Sequence, residues 1–559
     1  MQKNTRFDEN CNLLLDRFPH FAHLNLLLEK EIKLSSFLRK RRKSVSIQKW
    51  FSLVDIKKAD IFFIYGIDAI SSFNPIKKWL DEKKERAAVF LVDELINLAS
   101  FLDSPSAKDA LLHPGIHLFF IRKENLKIEI NNIANRFPLG NINIETFPSY
   151  VGKNLFLEID KYLFRRITLS NARFLDRFFS DYHFYNFLKN IKRLNNISQI
   201  SKLKDAFANI PMIICGAGPS LEKNIHQLKK INSRALIMAG GSAISLLSAF
   251  GVPFHFSVAV DPNLEEYKRL KQANTFEMPF LFSLRLFSNV LACLNGPFGV
   301  MKSTVGELQD FLADDKLEVE GEYIGEKIDE ESLSVTSMCL ALADFFGCSP
   351  VIFCGMDLSY ADGKRYVEKI HMDESTNEIG EKKKDDKDIF QNTVITTIKW
   401  QMETKAISSY IKKCDNIKFY NATNAGLGID GAENISFEKL REKYFVKQYD
   451  FFSLIHSAMQ SCRSSFSLDK KINKFFDECE KSFVLCIKYI KQILAEKPMS
   501  GKRALFEIEL EEEMAYKYFF YDWKDIVSFS LKEKKESFLD IRYLLSMVKT
   551  YLKILRDIK

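Results

Sequence analysis

The run Ile213-Ile214-Cys215-Gly216-Ala217-Gly218-Pro219-Ser220-Leu221 sets an apolar stretch against a glycine turn, with a helical pattern following from about Leu221. Glycines let a backbone approach a phosphate or ribose closely, Pro219 stops strand continuation, and Ser220 is a favoured helix N-cap type. A helix N-terminus supplies amides and partial positive charge for an anion. No Gly-Lys-Ser/Thr follows, so this is no Walker loop, and Leu221 fills the third glycine slot of a dinucleotide fingerprint. Alone, the turn fits a plain strand–turn–helix junction as well as a ligand site. Other polar residues follow other apolar runs: Gly240-Gly241-Ser242 after Ala235–Met238, Asp261-Pro262-Asn263 after Phe256–Val260, and Arg285 after Phe280–Phe282. Gly355-Met356-Asp357-Leu358-Ser359-Tyr360 follows Val351–Cys354. Ligands of doubly wound sheets bind beyond the carboxyl ends of the strands. These five runs therefore place glycines, two carboxylates, hydroxyls and one arginine on a single rim.

The elements that must position these residues are short apolar runs bounded by glycine, proline or polar residues, mostly alternating with helical segments. That pattern predicts an α/β fold with a mostly parallel, doubly wound central sheet covered by helices. Residues 1–200 predict a smaller α/β domain, with strands at Ile61–Tyr65, Ala88–Val92 and Ile116–Ile121. Its turn at Tyr65-Gly66-Ile67-Asp68 has a lone glycine where a nucleotide turn wants several, which points to a structural or partner-docking role. Residues 201–444 form the expected central domain and residues 445–559 a helical one. In the latter, Ile472, Phe475, Phe476, Cys479, Phe483, Ile487, Ile490 and Leu494 recur at three- and four-residue spacings before Pro498. A second stripe runs from Phe538 to Leu555. The charged stretch Glu381–Asp388 reads as a solvated loop or a helix start.

A chain of 559 residues exceeds what one hydrophobic core normally holds, so two or three domains are expected. The formal charge of +8, from 81 basic against 73 acidic side chains, suits an anionic ligand and falls short of a dedicated nucleic-acid binder. Arg39-Lys40-Arg41-Arg42-Lys43 reads as a solvated loop or a contact for an acidic or membrane-surface partner. Ten scattered cysteines include no CxxC pair, and no His/Cys cluster has zinc spacing, which fits a reducing cytosol and no metal site. Met1–Asn12 lacks a signal-peptide core, and no run approaches the roughly 18 apolar residues of a membrane span. A cytoplasmic location without a transmembrane segment is expected.

Four blocks, in order between Ile214 and Gly426, carry a family resemblance. Ile214–Leu221 contains Gly-Pro-Ser-Leu, and Phe256-Ser-Val-Ala-Val-Asp-Pro262 is an apolar strand closing in Asp-Pro. Ser334-Val-Thr-Ser337 and the block from Gly347 to Lys364 come next, followed by Tyr420-Asn-Ala-Thr423. Together they resemble the motility-associated factor (Maf) family of bacterial glycosyltransferases. The resemblance implies a sialyltransferase-like central domain and transfer of pseudaminic or legionaminic acid from CMP onto Ser or Thr of flagellin. Carried over, Gly216, Gly218, Pro219 and Ser220 contact the nucleotide. Asp261 and Asp357 orient ribose or sugar hydroxyls, and Ser334, Thr336, Tyr360, Asn421 and Thr423 line the pocket. No tightly bound cofactor is implied, only the CMP-sugar donor and a protein acceptor. Two positions depart from the family: Gly241-Ser242 replaces an Asp-Thr pair, and Tyr366 stands where a histidine closes the third block, with His371 further on.

Transfer requires a base near the attacking hydroxyl and stabilisation of the departing phosphate. Asp357 or His371 suits the first role, and Arg285 with the Gly216–Ser220 amides the second. An archaeal 6-hydroxymethylpterin diphosphokinase shares this central domain type and is the rival enzyme reading. The replaced family positions keep a non-catalytic nucleotide-sugar-binding scaffold open as well.

Overall fold

The computed structural model describes residues 5–28, 30–31, 59–67, 73–84, 86–122, 124, 126–137, 142–146, 154–271, 273, 277–303, 308–319, 321–329, 332, 334–360, 383–423, 425–463, 468–523 and 541–559. They fall into two compact units, one built within residues 1–174 and one from 175–375 with 382–559.

In the first unit, β1 (Ile61–Tyr65), β2 (Ala87–Val92), β3 (Ile116–Phe120) and β4 (Ile142–Thr146) form a parallel sheet in the order β3-β2-β1-β4. The two central strands are buried along their whole length, as their unbroken apolar sequence requires of a sheet covered on both faces. The edge strand β4 reads Ile-Asn-Ile-Glu-Thr, an alternation that a search for apolar runs passes over.

The second unit holds a nine-stranded parallel sheet. Its members are β5 (Ser198–Gln199), β6 (Met212–Cys215), β7 (Leu236–Gly240), β8 (Phe256–Ala259), β9 (Phe280–Phe282), β10 (Phe298–Val300) and β11 (Val351–Cys354), with two further strands. Between β11 and those two, β12 (Lys383–Lys387) and β13 (Thr393–Thr397) make a separate antiparallel hairpin; β14 (Phe419–Asn421) and β15 (Glu433–Asn434) complete the sheet. The spatial order is β15-β14-β11-β6-β7-β8-β9-β10-β5. The chain thus winds outward from β6 through β10, returns to β11 on the other side of β6, and continues to β15. The switch point of the winding lies between β6 and β11.

Alternate residues of each strand feed two cores. Ile213, Cys215, Ile237, Phe280, Phe282 and Ile352 face one, and Met212, Ile214, Leu236, Met238, Leu281 and Phe353 the other. The first core is shared with the carboxyl-terminal helices Asp469–Ala495 and Ile541–Ile558, through Phe475, Phe483 and Tyr551. Tyr551 stacks on Phe184 at 4.7 Å between ring centroids, so the helix Ser180–Ile191 joins the same packing. The helical face of the second core comes from Val335–Phe345 and Ile398–Ile411.

The charged stretch before Asp388 is strand β12, not a loop or helix start. Asp388 supplies the reason: its carboxylate accepts the amides of Phe390 and Asn392 at 2.8 Å each, closing the turn that returns β13 onto β12. None of the ten cysteines forms a disulfide. Among the described residues, no helix is long and apolar enough to cross a membrane.

Candidate functional site

At the switch point, two loops are knitted together. The Gly216 amide donates to Cys354 O at 2.8 Å and the Gly218 amide to Gly355 O at 3.0 Å. Asp357 Oδ2 accepts both the Ser220 hydroxyl at 2.7 Å and the Ser220 amide at 3.2 Å. A Cβ on Gly216 would overlap Gly355 O, and one on Gly218 would overlap the Asp357 carboxylate. The glycines are therefore demanded by loop-on-loop packing, and the Gly216, Gly218 and Ser220 amides expected to cradle a phosphate are already committed. Ser220 also departs from the N-cap expectation. Its backbone is helical, its side chain makes no capping bond, and its hydroxyl turns to Asp357.

Asp357 is 1% exposed, and its second oxygen, Oδ1, has no hydrogen-bond partner among the described residues. Burial pushes its carboxyl pKa up; the Ser220 donors, the Asp357 backbone amide and the nearby Lys223 charge oppose the rise without cancelling it. The loop holding it is fixed from several sides. Gly355 and Leu358 take positive φ values of 71° and 50°, Leu427 N–H donates to Asp357 O at 2.8 Å, and Gly426 leaves no room for a side chain against the Asp357 backbone. Leu358, which is not glycine, holds a costly conformation. Two residues on, the Ser359 hydroxyl is also buried without a partner among the described residues. The Tyr360 amide donates to Ile395 O at 2.7 Å, and its ring meets Trp400 edge-on at 5.2 Å.

Asn421 and Thr423, at the end of β14, are 1% and 2% exposed and bond within the loops. Thr423 Oγ1 accepts the Met356 amide at 3.0 Å, and Asn421 Oδ1 accepts the Thr423 amide at 3.0 Å. Their role here is to hold the Asp357 loop. Ser334 caps the helix Val335–Phe345 by accepting the Thr336 amide at 3.1 Å, and its hydroxyl donates to Glu403. Glu403 is buried and also receives the Ser337 hydroxyl at 3.1 Å. Val335 lies against Gly240, which places this cap over the end of β7.

Asp261 and Arg285 belong to a different part of the rim. Asp261 follows β8 and accepts the amide of Asn263 at 3.1 Å and its side chain at 2.7 Å. Arg285 follows β9 and is paired with Asp176, which also stands 3.8 Å from His183. Burial drives the His183 pKa down to about 4, against the pull of Asp176, and the Arg285 charge adds to the fall. At about 4.8 Å per strand, β8 is ~14 Å from β11 and β9 is ~14 Å from β6. The side-chain hydrogen bonds of Asp261 run to Asn263 and the ion pair of Arg285 to Asp176, and not to Asp357 or the Gly216–Ser220 turn. His371 and Tyr366 lie outside the described residues.

Three residues at the switch-point side were not singled out in the sequence. Lys223 stands in the first turn after the glycines and was legible there; Ser359 was quoted only as part of its block. Glu403 gave no signal, since its partners are 66 and 69 positions away. Among the described residues, no group of three or more His, Cys, Asp or Glu is placed to hold a metal ion.

Residues 185–363 match the family model described as 6-hydroxymethylpterin diphosphokinase MptE-like. A search of curated protein sequences finds no match. Among solved structures, that of the MAf glycosyltransferase from Magnetospirillum magneticum AMB-1 is similar over 99% of this chain and 95% of that one, at 12% identity and a TM-score of 0.49.

Proposed function

We propose that the crevice beyond β6 and β11 binds a nucleotide-activated sugar. In this reading the chain is a glycosyltransferase that moves a nonulosonic acid of the pseudaminic or legionaminic type from CMP to a Ser or Thr hydroxyl of a protein acceptor, flagellin being one candidate. The observation that carries the site is Asp357. A buried carboxylate with one oxygen held and the other unpartnered among the described residues, on a constrained loop at the switch point of a doubly wound sheet, supports a role in receiving a hydroxyl. The four motif blocks supply the donor class.

In the transfer step, the acceptor oxygen bonds to the anomeric carbon, the bond from that carbon to the CMP phosphate oxygen breaks, and the acceptor proton passes to Asp357 Oδ1. An elevated carboxyl pKa strengthens Asp357 as a base. The Ser220 hydroxyl and amide hold Oδ2 so that Oδ1 stays directed at the proton. Lys223 replaces Arg285 as the cation available to the departing phosphate, because it belongs to the helix that starts at the turn. Ser359 offers a second contact for a sugar or ribose hydroxyl. No bound cofactor enters the scheme.

The family match over residues 185–363 favours a second reading, transfer of diphosphate from ATP with magnesium to a pterin alcohol. Calorimetric titration with CMP, CTP and ATP plus magnesium separates the two. Saturable CMP or CTP binding that is lost with Lys223→Glu fits the sugar transferase. Binding of ATP with magnesium alone fits the diphosphokinase.

A further inference from the structure

The first unit carries a feature that its lone-glycine turn does not announce. Beyond the carboxyl end of β3 lies a cavity of about 370 Å³, walled by the end of that strand, the helix Leu126–Arg136 and the 3-10 turn Pro19–Leu24. This size is at the lower end for small-molecule sites.

Its charged lining consists of two arginines, Arg122 and Arg136, and one carboxylate, Glu129. Each arginine is braced by an aromatic ring of β3: Arg136 lies 5.3 Å from the centre of Phe119 and Arg122 lies 5.4 Å from that of Phe120. His20 stacks on the same Phe119 at 5.8 Å, and its Nε2 donates to the Leu118 carbonyl at 3.1 Å, which leaves Nδ1 of the neutral ring as an acceptor. The amides of Asn132 and Asn135 lie along the helix wall, the Asn135 oxygen already accepting the Ser170 hydroxyl at 3.3 Å.

A surface arginine stacked on a ring is ordinary packing, and Arg136 at a helix C-terminus is ordinary as well. Two guanidinium groups, two imidazoles and two amides around one concavity, at the strand end where parallel sheets bind ligands, call for more than packing. Guanidinium groups match phosphate and carboxylate, and the amides with Glu129 match hydroxyls.

We propose that this cavity binds a small polyhydroxylated molecule bearing one oxyanion, a sugar acid or a sugar phosphate, independently of the crevice in the second unit. The proposal does not depend on the glycosyltransferase reading.

The test is calorimetric titration of the full chain with glucuronate, glucose 6-phosphate and inorganic phosphate, with glucose as the uncharged control. The expected result is saturable binding of glucuronate or glucose 6-phosphate at least tenfold tighter than glucose. The arm that binds more tightly identifies the anion. Arg122→Gln and Arg136→Gln should each weaken it tenfold or more and leave CMP binding by the second unit unchanged. Asn132 is exposed, so Asn132→Asp leaves both arginines in the chain and adds a negative charge on the cavity wall that opposes an oxyanion directly or by pairing with Arg136 one turn on. It should weaken binding similarly, which covers the case where an arginine variant fails to fold. No preference for either charged sugar over glucose, or equal binding by wild type and Asn132→Asp, overturns the proposal. Binding of inorganic phosphate alone also overturns it, since that would show an anion site without recognition of the hydroxylated body.

Discussion

Two stretches of one sheet rim use polar residues in opposite ways. Beyond β8 and β9, charged groups are spent on one another and on the backbone. Arg285 pairs with Asp176, Asp261 holds Asn263, and the buried side chains of Asn186 and Asn190 donate to the carbonyls of Pro262, Leu284 and Leu286. The helix Ser180–Ile191 is thereby tied down over those strand ends. The Ser283 and Ser288 hydroxyls and Asn190 Oδ1 are buried there without a partner among the described residues, and the Arg285 guanidinium has its charge met by Asp176. Beyond β6 and β11, the partnerless atom of Asp357 belongs to a carboxylate, the group whose burial costs most. Proximity to a strand end is thus shared by both stretches; the charge of Arg285 is met by a carboxylate, whereas the buried carboxylate of Asp357 has no ion-pair partner among the described residues.

The comparison predicts unequal responses to substitution. The largest belongs to Asp357→Asn, which should lower transfer from a CMP-sugar roughly a hundredfold, about 2.7 kcal/mol in barrier, measured as kcat/KM on the purified variant. Gly218→Ala should come next. Its Cβ displaces the Asp357 carboxylate from Ser220, and transfer should fall on the order of tenfold, with a melting temperature lowered by the lost contact. Ser220→Ala removes one donor that holds Oδ2. It should cost about 1 kcal/mol of stability and move the acidic limb of the pH–rate profile to higher pH, since that donor lowers the Asp357 pKa. The smallest effect is expected from Asp176→Asn at the other stretch: transfer within about twofold of wild type and stability within about 1 kcal/mol, as for a half-exposed ion pair. A large loss of transfer there would erase the distinction between the two stretches.

Much of the scaffold was legible because fully buried parallel strands leave unbroken apolar runs. β1, β6, β9 and β11 coincide with such runs end to end. Strands that escaped do so for physical reasons. β10 contains Gly299, β15 is two exposed residues, and β12 is a charged segment held by its hairpin turn and partner strand. The Gly216–Ser220 turn was visible as a motif, yet its purpose differs from the reading of glycines alone: it makes room for a neighbouring loop. Only tertiary structure reveals that Gly218 faces Asp357, 139 positions away by number, or that Glu403 closes on Ser334 and Ser337.

A buried Asp357 charge kept for chemistry carries a net cost to folding. Its native pKa is raised by desolvation, so the folded chain holds that proton more tightly than the unfolded chain, where the carboxyl titrates near 3.9. The associated stability is present in full at acid pH and is lost as pH rises above about 4, through the native pKa. Melting temperatures of wild type and Asp357→Asn between pH 4 and pH 8 test this directly. The expected difference shifts in favour of the asparagine variant as pH rises, leaving it at least as stable as wild type at pH 7 although its transfer is impaired. A variant that becomes progressively less stable than wild type toward pH 7 would show instead that the Asp357 charge serves the fold.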